Sequence, residues 1–449
     1  MNRRILYYWN EARSNYWFIP SLMVLAAIGL SFITLNFDRN AHASAERLRF
    51  FWGGGPDGAR GMLEVIAGSM MTVATLTFSI TTVTFSQASA QFGPRLLRNF
   101  IRDTGNQVVL GTFVSTFVYC LLVLRAIRSA VEAAPGSLGQ SEFVPEFSIS
   151  VGIIMALASL GVLIYFIHHV SQSIYAPNVI ANVAEDMIQA INRLFPKEDD
   201  PYPSLQSLET PPELPEEFED KAVRVDAPKS GYLQALDYGH LLSLANQHNL
   251  ILQVHHRPGH FAIYGDDLAL VWPAERIDKA LLRSLTDAFT IGRVRVAPQD
   301  VEFAMDQLVE VAVRALSPAI NDPFTAMNCI DWLGVGLSRL AEKKIPPPYM
   351  AGADGSIRIF LKHPVTFQRL ADTAFNQIRQ YAVNTASLQL RLLEVIAVIA
   401  EHTDDPRELA ALDRHAKIIQ RMSHKHLEER DDISDVDERY QKVEEAESD

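Results

Sequence analysis

The residues with the clearest chemical pattern are hydroxyl side chains within a long apolar segment. Residues 72–86 read TVATLTFSITTVTFS and contain eight serines and threonines in fifteen positions. Small or polar residues recur there with alternating spacings of four and three, which predicts a continuous stripe along one helix face. The stripe consists of Gly68, Thr72, Thr75, Ser79, Thr82, Ser86, Ser89 and Gly93. A second stripe, on roughly the opposite face, consists of Thr77, Thr81, Thr84 and Gln91.

Two interpretations of the first stripe remain open. Small residues let helix backbones approach closely, and hydroxyls bond to carbonyls one turn back or to a neighbouring helix. Alternatively, the hydroxyls line a water-filled path, with Phe78 and Phe85 as gate candidates. No Asp, Glu or Lys interrupts residues 65–86, which favours a channel over a proton-coupled transporter. The pore-lining candidates are Thr72, Thr75, Ser79, Thr82 and Ser86.

This segment is one of four apolar runs long enough to cross a bilayer as a helix. The predicted spans are 17–35, 65–86, 108–124 and 149–167, and none contains a charged residue. A helix that is polar on two faces is expected inside a helix assembly rather than facing lipid. The first run is too long for the core of a secretory signal, so we interpret it as an uncleaved helix.

The orientation in the membrane rests on context, because arginines are equally frequent on both sides of the predicted spans. An even number of spans places both termini on one side. The chain has only two cysteines, Cys120 and Cys329, which suits a reducing compartment. We therefore expect a plasma (inner) membrane protein with cytoplasmic termini. An aromatic segment at residues 7–17 is typical of the membrane interface.

A short basic segment follows the second span. Gly93 and Pro94 end the stripe, and three arginines then share one face of a predicted amphipathic helix: Arg95, Arg98 and Arg102. These residues can meet anionic lipid headgroups. At the mouth of a pore, they would favour anions.

The rest of the chain carries most of the charge. Residues 196–220 and 428–449 each have a net charge of −8, typical of a solvated linker and a disordered tail. Between them, strands around one helix are predicted over 221–273, and amphipathic helices over 274–427. Five histidines lie in or near this β-rich module, but their spacing fits no zinc site. They are His240, His248, His255, His256 and His260.

Residues 314–333 read RALSPAINDPFTAMNCIDWL. Here Asp322 and Pro323 are predicted to cap a helix and to occupy its first position. A helix N-terminus can also bind an anion, which makes Asn321 and Asp322 ligand-site candidates, but the charge of Asp322 would repel an anion and the capping role explains both residues. No nucleophile elbow, phosphate-binding loop or dinucleotide fingerprint is present in the sequence. We therefore expect neither an enzyme nor a bound cofactor.

Two resemblances add to this interpretation. Turn placement in APKSGYLQALD and RPGHFAIYGDDLALVWP resembles the small β-sandwich hybrids of carrier and adaptor domains. The ordered segments SQASAQFGPRLLRNFIRDTGNQ, YFIHHVSQSI, RPGHFAIYGD and RALSPAINDPFTAMNCIDWLG resemble a bacterial family of predicted membrane proteins, domain of unknown function 2254. That family usually reads RPGDF where this chain has His260. The resemblance implies four membrane helices and a cytoplasmic domain, and supplies no catalytic residues.

The sequence thus predicts an α-helical membrane protein with a mixed α+β domain, comprising a β-sandwich-hybrid-like module and a helical bundle. The expected parts are a transmembrane domain (1–170), a membrane-proximal helix (171–194), a linker (195–220), the module (221–273), the helical domain (274–427) and the tail (428–449). A homo-oligomeric ion conduit with a cytoplasmic regulatory domain is one hypothesis; a membrane-anchored scaffold or sensor is the other. Expected partners are the bilayer, further copies of the chain and an inorganic ion, with no nucleic acid.

Overall fold

The computed structural model describes residues 17–41, 55–96, 103–127, 143–195, 213–352 and 354–446. The chain forms two compact units, Met1–Asn178 and Val179–Asp449. The aromatic segment before Trp17, Arg98, Arg102 and most of the acidic linker lie outside the described residues, so those predictions remain predictions.

The first unit contains four helices that are long and apolar enough to cross a membrane. They are α1 (Phe18–Ala41), α2 (Pro56–Phe92), α3 (Thr104–Leu124) and α4 (Glu146–Ser173). This confirms the four predicted membrane helices. With 37 residues, α2 is about 55 Å long at 1.5 Å per residue, well beyond the hydrocarbon thickness of about 30 Å. It ends at Gly93, whose φ of 101° suits a residue without a side chain.

Helix α3 is the centre of this unit and packs against the other three helices. Its apolar window is 56% buried, compared with 28%, 22% and 28% for α1, α2 and α4, so these three helices, α2 among them, are peripheral. A Cβ on Gly111 would lie 2.5 Å from Met23 Sδ and 3.2 Å from Pro20 Cα. The glycine therefore permits the close approach of α1. Thr116 Oγ1 and Ser159 Oγ, 3.2 Å apart, join α3 to α4.

The second unit has a mixed fold. Its helices are α5 (whose range, Ala176–Leu194, begins just before the boundary), α6 (Phe218–Lys221), α7 (Tyr238–His248), α8 (Lys279–Thr286), α9 (Val301–Ala315), α10 (Pro323–Ala341), α11 (Phe367–Tyr381), α12 (Ala386–Ala400), α13 (Pro406–His426) and α14 (Arg430–Ala446). Its strands are β1 (Val223–Asp226), β2 (Gly231–Leu236), β3 (Ile251–Val254), β4 (Phe261–Ala262), β5 (Asp267–Trp272), β6 (Phe289–Gly292), β7 (Tyr349–Ala351) and β8 (Ile357–Leu361). The chain turns between α4 and α5 at Ile174–Tyr175, so the predicted membrane-proximal helix begins at Ala176 rather than at residue 171.

The strands form two sheets, ordered β1-β5-β3-β8-β7 and β4-β2-β6. All described pairs are antiparallel except β3 and β8, in which Leu252 pairs with Ile359 and Val254 with Leu361. Strands β6, β7 and β8 come from beyond residue 273, so the predicted boundary of the module does not match the sheets. The reason is non-local pairing: short apolar runs among the helices complete sheets that begin 60 to 110 residues earlier.

The prediction of a disordered tail is wrong for residues 430–446, which form α14. Apolar side chains at spacings of four and three lie buried, as on the inner face of an amphipathic helix; they are Val436, Tyr440 and Val443. Arg439 Nε also donates to Glu394 Oε1 on α12 at 3.0 Å. The high acidic content concealed this apolar stripe.

Candidate functional site

The predicted pore-lining stripe lies on the outer surface of the first unit. All five candidates are exposed: Thr72, Thr75, Ser79, Thr82 and Ser86. The hydroxyls of the first four donate to the carbonyl four residues earlier, at 2.9 to 3.0 Å. A Cβ on Gly68 would meet no atom within 4 Å. These four hydroxyl groups therefore all have acceptors in their own helix. Among the described residues, no atom packs against Gly68.

The second polar stripe occupies the opposite face of α2; its three threonines are buried, whereas Gln91 is exposed. Thr77 and Thr81 are each 2% exposed and Thr84 is 8% exposed. Ala74 and Ala88 lie on the same face and are also buried. Close packing with small residues thus accounts for this second stripe. It does not account for the first stripe, because that stripe lies on the opposite face of α2 and is exposed.

The two gate candidates lie at the edge of the outer stripe. Phe78 is 45% exposed, and its ring centroid is 6.4 Å from that of Trp17. Phe85 is half-buried. At 100° per residue, both rings fall between the outer stripe and the buried face. They are positioned to border a path along the stripe.

The end of the unit where α3 begins carries a polar contact that sequence reasoning missed. Asp103 caps α3 by accepting from the Gly105 amide at 2.8 Å. Its other oxygen lies 2.5 Å from His169 Nε2 on α4, and Tyr165 stacks on that imidazole at 5.3 Å. The contact could not be predicted from the sequence, because it joins residues 66 positions apart. Arg95, the described member of the predicted basic segment, is exposed.

The opposite end of the unit is fixed by Asp38, near the end of α1. Its carboxylate accepts from the Phe147 and Ser148 amides at 3.0 Å and from the Ser148 hydroxyl at 2.6 Å. The Tyr119 hydroxyl donates to Ser148 O at 3.0 Å and lies 3.0 Å from Thr34 Oγ1. This network satisfies the first amides of α4, which its own backbone cannot do.

The candidates Asn321 and Asp322 form a helix cap. Asp322 accepts from the Thr325 amide at 3.1 Å and from the Thr325 hydroxyl at 2.6 Å. Asn321 adopts a left-handed conformation with φ 49°, which asparagine tolerates better than most residues. The cap explains both residues, and their contacts give no further support to a ligand role.

In the second unit, polar residues from three distant segments meet beside β3 and β8. Arg257 Nη2 donates to Glu302 Oε1 at 2.7 Å, and Arg369 Nε donates to the same oxygen at 2.5 Å. The ring of His260 lies 5.9 Å from that of His256 and 6.0 Å from that of His363. Sequence reasoning considered two of these histidines as metal ligands and missed the arginines. No short-range spacing joins residues 256–260, 302 and 363–369.

Burial and neighbouring charges affect the histidines of this cluster. Burial, followed by the positive charge of Arg257, lowers the pKa of His260 to about 4. Burial is also the main cause lowering the pKa of His256. These imidazoles are therefore neutral at pH 7. Among the described residues, no three His, Cys, Asp or Glu side chains are arranged to hold a metal ion.

The comparisons with known proteins agree with the membrane helices. A family described as predicted membrane protein (DUF2254) matches residues 13–398. The chain belongs to this family. An uncharacterized protein of Mycobacterium bovis is 29% identical over 424 residues, 93% of this chain and 77% of the relative. One from Mycobacterium tuberculosis matches to the same extent. No solved structure matches the chain significantly. The protein is thus a multi-pass membrane protein of the DUF2254 family.

Proposed function

We propose that this DUF2254 protein is a homo-oligomeric conduit for an inorganic ion, lined by the outer stripe of α2 from each copy. The observation that carries the proposal is the exposure of five aligned hydroxyl residues on a peripheral helix of the unit: Thr72, Thr75, Ser79, Thr82 and Ser86. Transfer of such a face from water into lipid is less favourable than transfer of an apolar face, because polar atoms lose their interactions with water. Water in a shared path would restore them.

The chemistry of the stripe affects which ions the path would conduct. The hydroxyls donate to their own helix, so their remaining lone pairs and dipoles, rather than fixed charges, would face the path. A path of this kind conducts with weak selectivity. Arg95, just beyond the end of α2, would add a preference for anions. We place both termini in the cytoplasm of a bacterial cell, with the second unit as a non-enzymatic regulatory domain.

A second candidate function is a membrane-anchored scaffold or sensor. The observation that favours it is the same 3.5-residue spacing, continued by Gly68, Ser89 and Gly93. A stripe of small residues also suits tight helix–helix contact between copies. In that case the stripe would be dry, and the second unit would bind the partner or ligand.

Ion flux into liposomes containing the purified protein separates these functions. We expect flux from the wild type and its loss when Thr75, Ser79 and Thr82 are all changed to Leu. The matched control is Ser69→Leu, because Ser69 is also exposed and lies about 80° round the helix from Ser79. The control should conduct normally.

The oligomeric state, measured by light scattering in detergent, completes the test. Loss of flux with an intact oligomer supports the conduit. An oligomer that is dissociated by the triple substitution, together with no wild-type flux for anions or cations, contradicts the conduit and supports the scaffold.

A further inference from the structure

The polar cluster of the second unit lies where parallel strands usually present ligands. Strands β3 and β8 are the parallel pair, and both end at this cluster. The loop 255–260 follows β3 and residues 362–366 follow β8. The Lys362 amide donates to Val254 O at 2.9 Å and holds the two segments together. In open sheets, binding sites form beyond the carboxyl ends of parallel strands.

Two guanidinium groups in this cluster share a single carboxylate. Arg257 and Arg369 both donate to Glu302 Oε1. The nearby Asp300 carboxylate is engaged by Arg295 through two hydrogen bonds, at 2.8 and 3.0 Å. Arg295 also pairs with Asp306 at 2.7 Å, so this adjoining group carries a net charge of −1. The Arg257–Glu302–Arg369 triad itself has two guanidinium groups and one carboxylate, a net charge of +1.

Two features of the triad distinguish its inner arginine from its outer one. Arg257 is only 7% exposed, and its Nε has no hydrogen-bond partner among the described residues. A buried donor without a partner is costly. The side chain of Arg369, in contrast, is 49% exposed and presents its guanidinium to solvent.

The imidazoles extend the donor surface. His256, His260 and His363 form a row with ring centroids 5.9 and 6.0 Å apart, and His363 is exposed. Buried Nδ1 of His256 also lacks a partner among the described residues. A neutral imidazole offers one N–H to a ligand. Two acids near the row, Asp266 and Asp267, act in the opposite direction from burial and raise the pKa of His256.

We propose that this cluster binds a phosphate group, through Arg369, His260 and His363, with Arg257 behind them. Guanidinium groups match phosphate oxygens in charge and in bidentate geometry. The excess of arginine over carboxylate disfavours a metal cation at the same place. The site does not depend on ion conduction and would exist in a scaffold as well.

A structural role is the alternative for the triad, since Glu302 ties the loop after β3 to the start of α11. That role needs the ion pairs but not the row of imidazoles. A variant of an exposed imidazole therefore distinguishes the two roles, because its removal should leave the ion pairs and the fold intact.

The test is calorimetric titration of inorganic phosphate into the full-length protein in detergent, at constant ionic strength. We expect saturable binding, weakened about tenfold or more by Arg369→Gln and by His363→Ala, as for the loss of a charge-assisted hydrogen bond. The matched control is Arg391→Gln, which removes the same charge from an arginine paired with Asp331 at 2.5 Å and Glu394 at 3.0 Å. It should bind phosphate like the wild type.

Three results would overturn the proposal. They are no saturable phosphate binding, equal weakening by the Arg391 control, and wild-type affinity in the His363 variant. Binding of Zn²⁺ that is lost in His363→Ala, with no phosphate binding, would identify a metal site instead. Circular dichroism confirms that each variant is folded.

The source of the phosphate group is resolved by repeating the titration in nanodiscs. If phosphatidylglycerol nanodiscs abolish phosphate binding and phosphatidylcholine nanodiscs do not, the natural ligand is a lipid headgroup. Equal binding in both supports a soluble phosphate compound.

Discussion

Replacing the buried His415 should make the second unit less sensitive to acid. His415 is fully buried on α13, and its Nε2 lies 3.0 Å from Asp372 Oδ1. The ring meets Phe375 edge-on, with centroids 5.5 Å apart. Burial, followed by the positive charge of Arg414, lowers the pKa of His415 to about 4, although Asp372 acts in the opposite direction. The folded protein therefore keeps this imidazole neutral well below pH 6.5.

The sign and size of the effect follow from proton linkage. Below pH 6.5, the unfolded chain binds a proton at this histidine and the folded chain does not, so stability falls as the pH decreases. One pH unit corresponds to 1.36 kcal/mol. Between pH 7.5 and 5.0, His415 alone should cost the wild type about 2 kcal/mol of unfolding free energy.

The measurement is urea unfolding of the full-length protein in detergent at the two pH values, monitored by the fluorescence of tryptophan in the second unit. His415→Gln cannot be protonated, so its loss of stability between pH 7.5 and 5.0 should be about 2 kcal/mol smaller than that of the wild type. Titrating groups that do not contact His415 cancel in this difference, and the Gln side chain keeps a hydrogen-bond donor for Asp372. An equal acid-induced loss in both proteins would refute the assigned environment of His415.

Two further predictions concern local geometry. Asp38→Ala removes the cap of α4 and should destabilise the first unit by about 1–2 kcal/mol, seen as a lower melting temperature in detergent; Asp57→Ala, an exposed acid in the first turn of α2, should have no such effect. Gly259→Ala places a Cβ 2.3 Å from an Asp300 oxygen at φ 95° and should cost about 2 kcal/mol or more of unfolding free energy. Gly265→Ala, with φ 84° and open space, isolates the backbone strain and should cost less. Equal losses in the two glycine variants would contradict the predicted clash.

The membrane helices could be predicted because roughly twenty apolar residues without charge form few other structures. The ends of these helices could not be predicted. Helix α2 was predicted at residues 65–86 and extends over Pro56–Phe92. Hydropathy reports only the apolar part of a helix, whereas backbone hydrogen bonding continues through polar residues until Gly93 ends it.

The two polar stripes of α2 were visible in the sequence, but not which of them packs inward. Both are rich in serine or threonine, and the expectation that α2 sits inside a helix assembly does not hold within a single copy. The alanines Ala74 and Ala88, which share the buried face with Thr81, were the available signal. Alanine favours close packing and gives no benefit next to water.

The His–Arg cluster lay beyond sequence reasoning for a different reason. Its members are brought together by the parallel pairing of β3 with β8, two short strands separated by about a hundred residues. Strands of four or five residues among helices carry little periodic signal. The tail helix α14 shows the same limit, since its three inward residues are sparse in an acidic segment.

Labelling of single cysteines by a membrane-impermeant thiol reagent tests most directly whether the outer stripe of α2 meets water. The buried Cys120 and Cys329 are first replaced by Ala, and the protein is reconstituted in liposomes. The conduit predicts rapid labelling of Ser79→Cys, and slow labelling of Ser69→Cys on the lipid side and Thr81→Cys on the buried face. Labelling of Ser79→Cys as slow as that of Thr81→Cys would contradict the conduit.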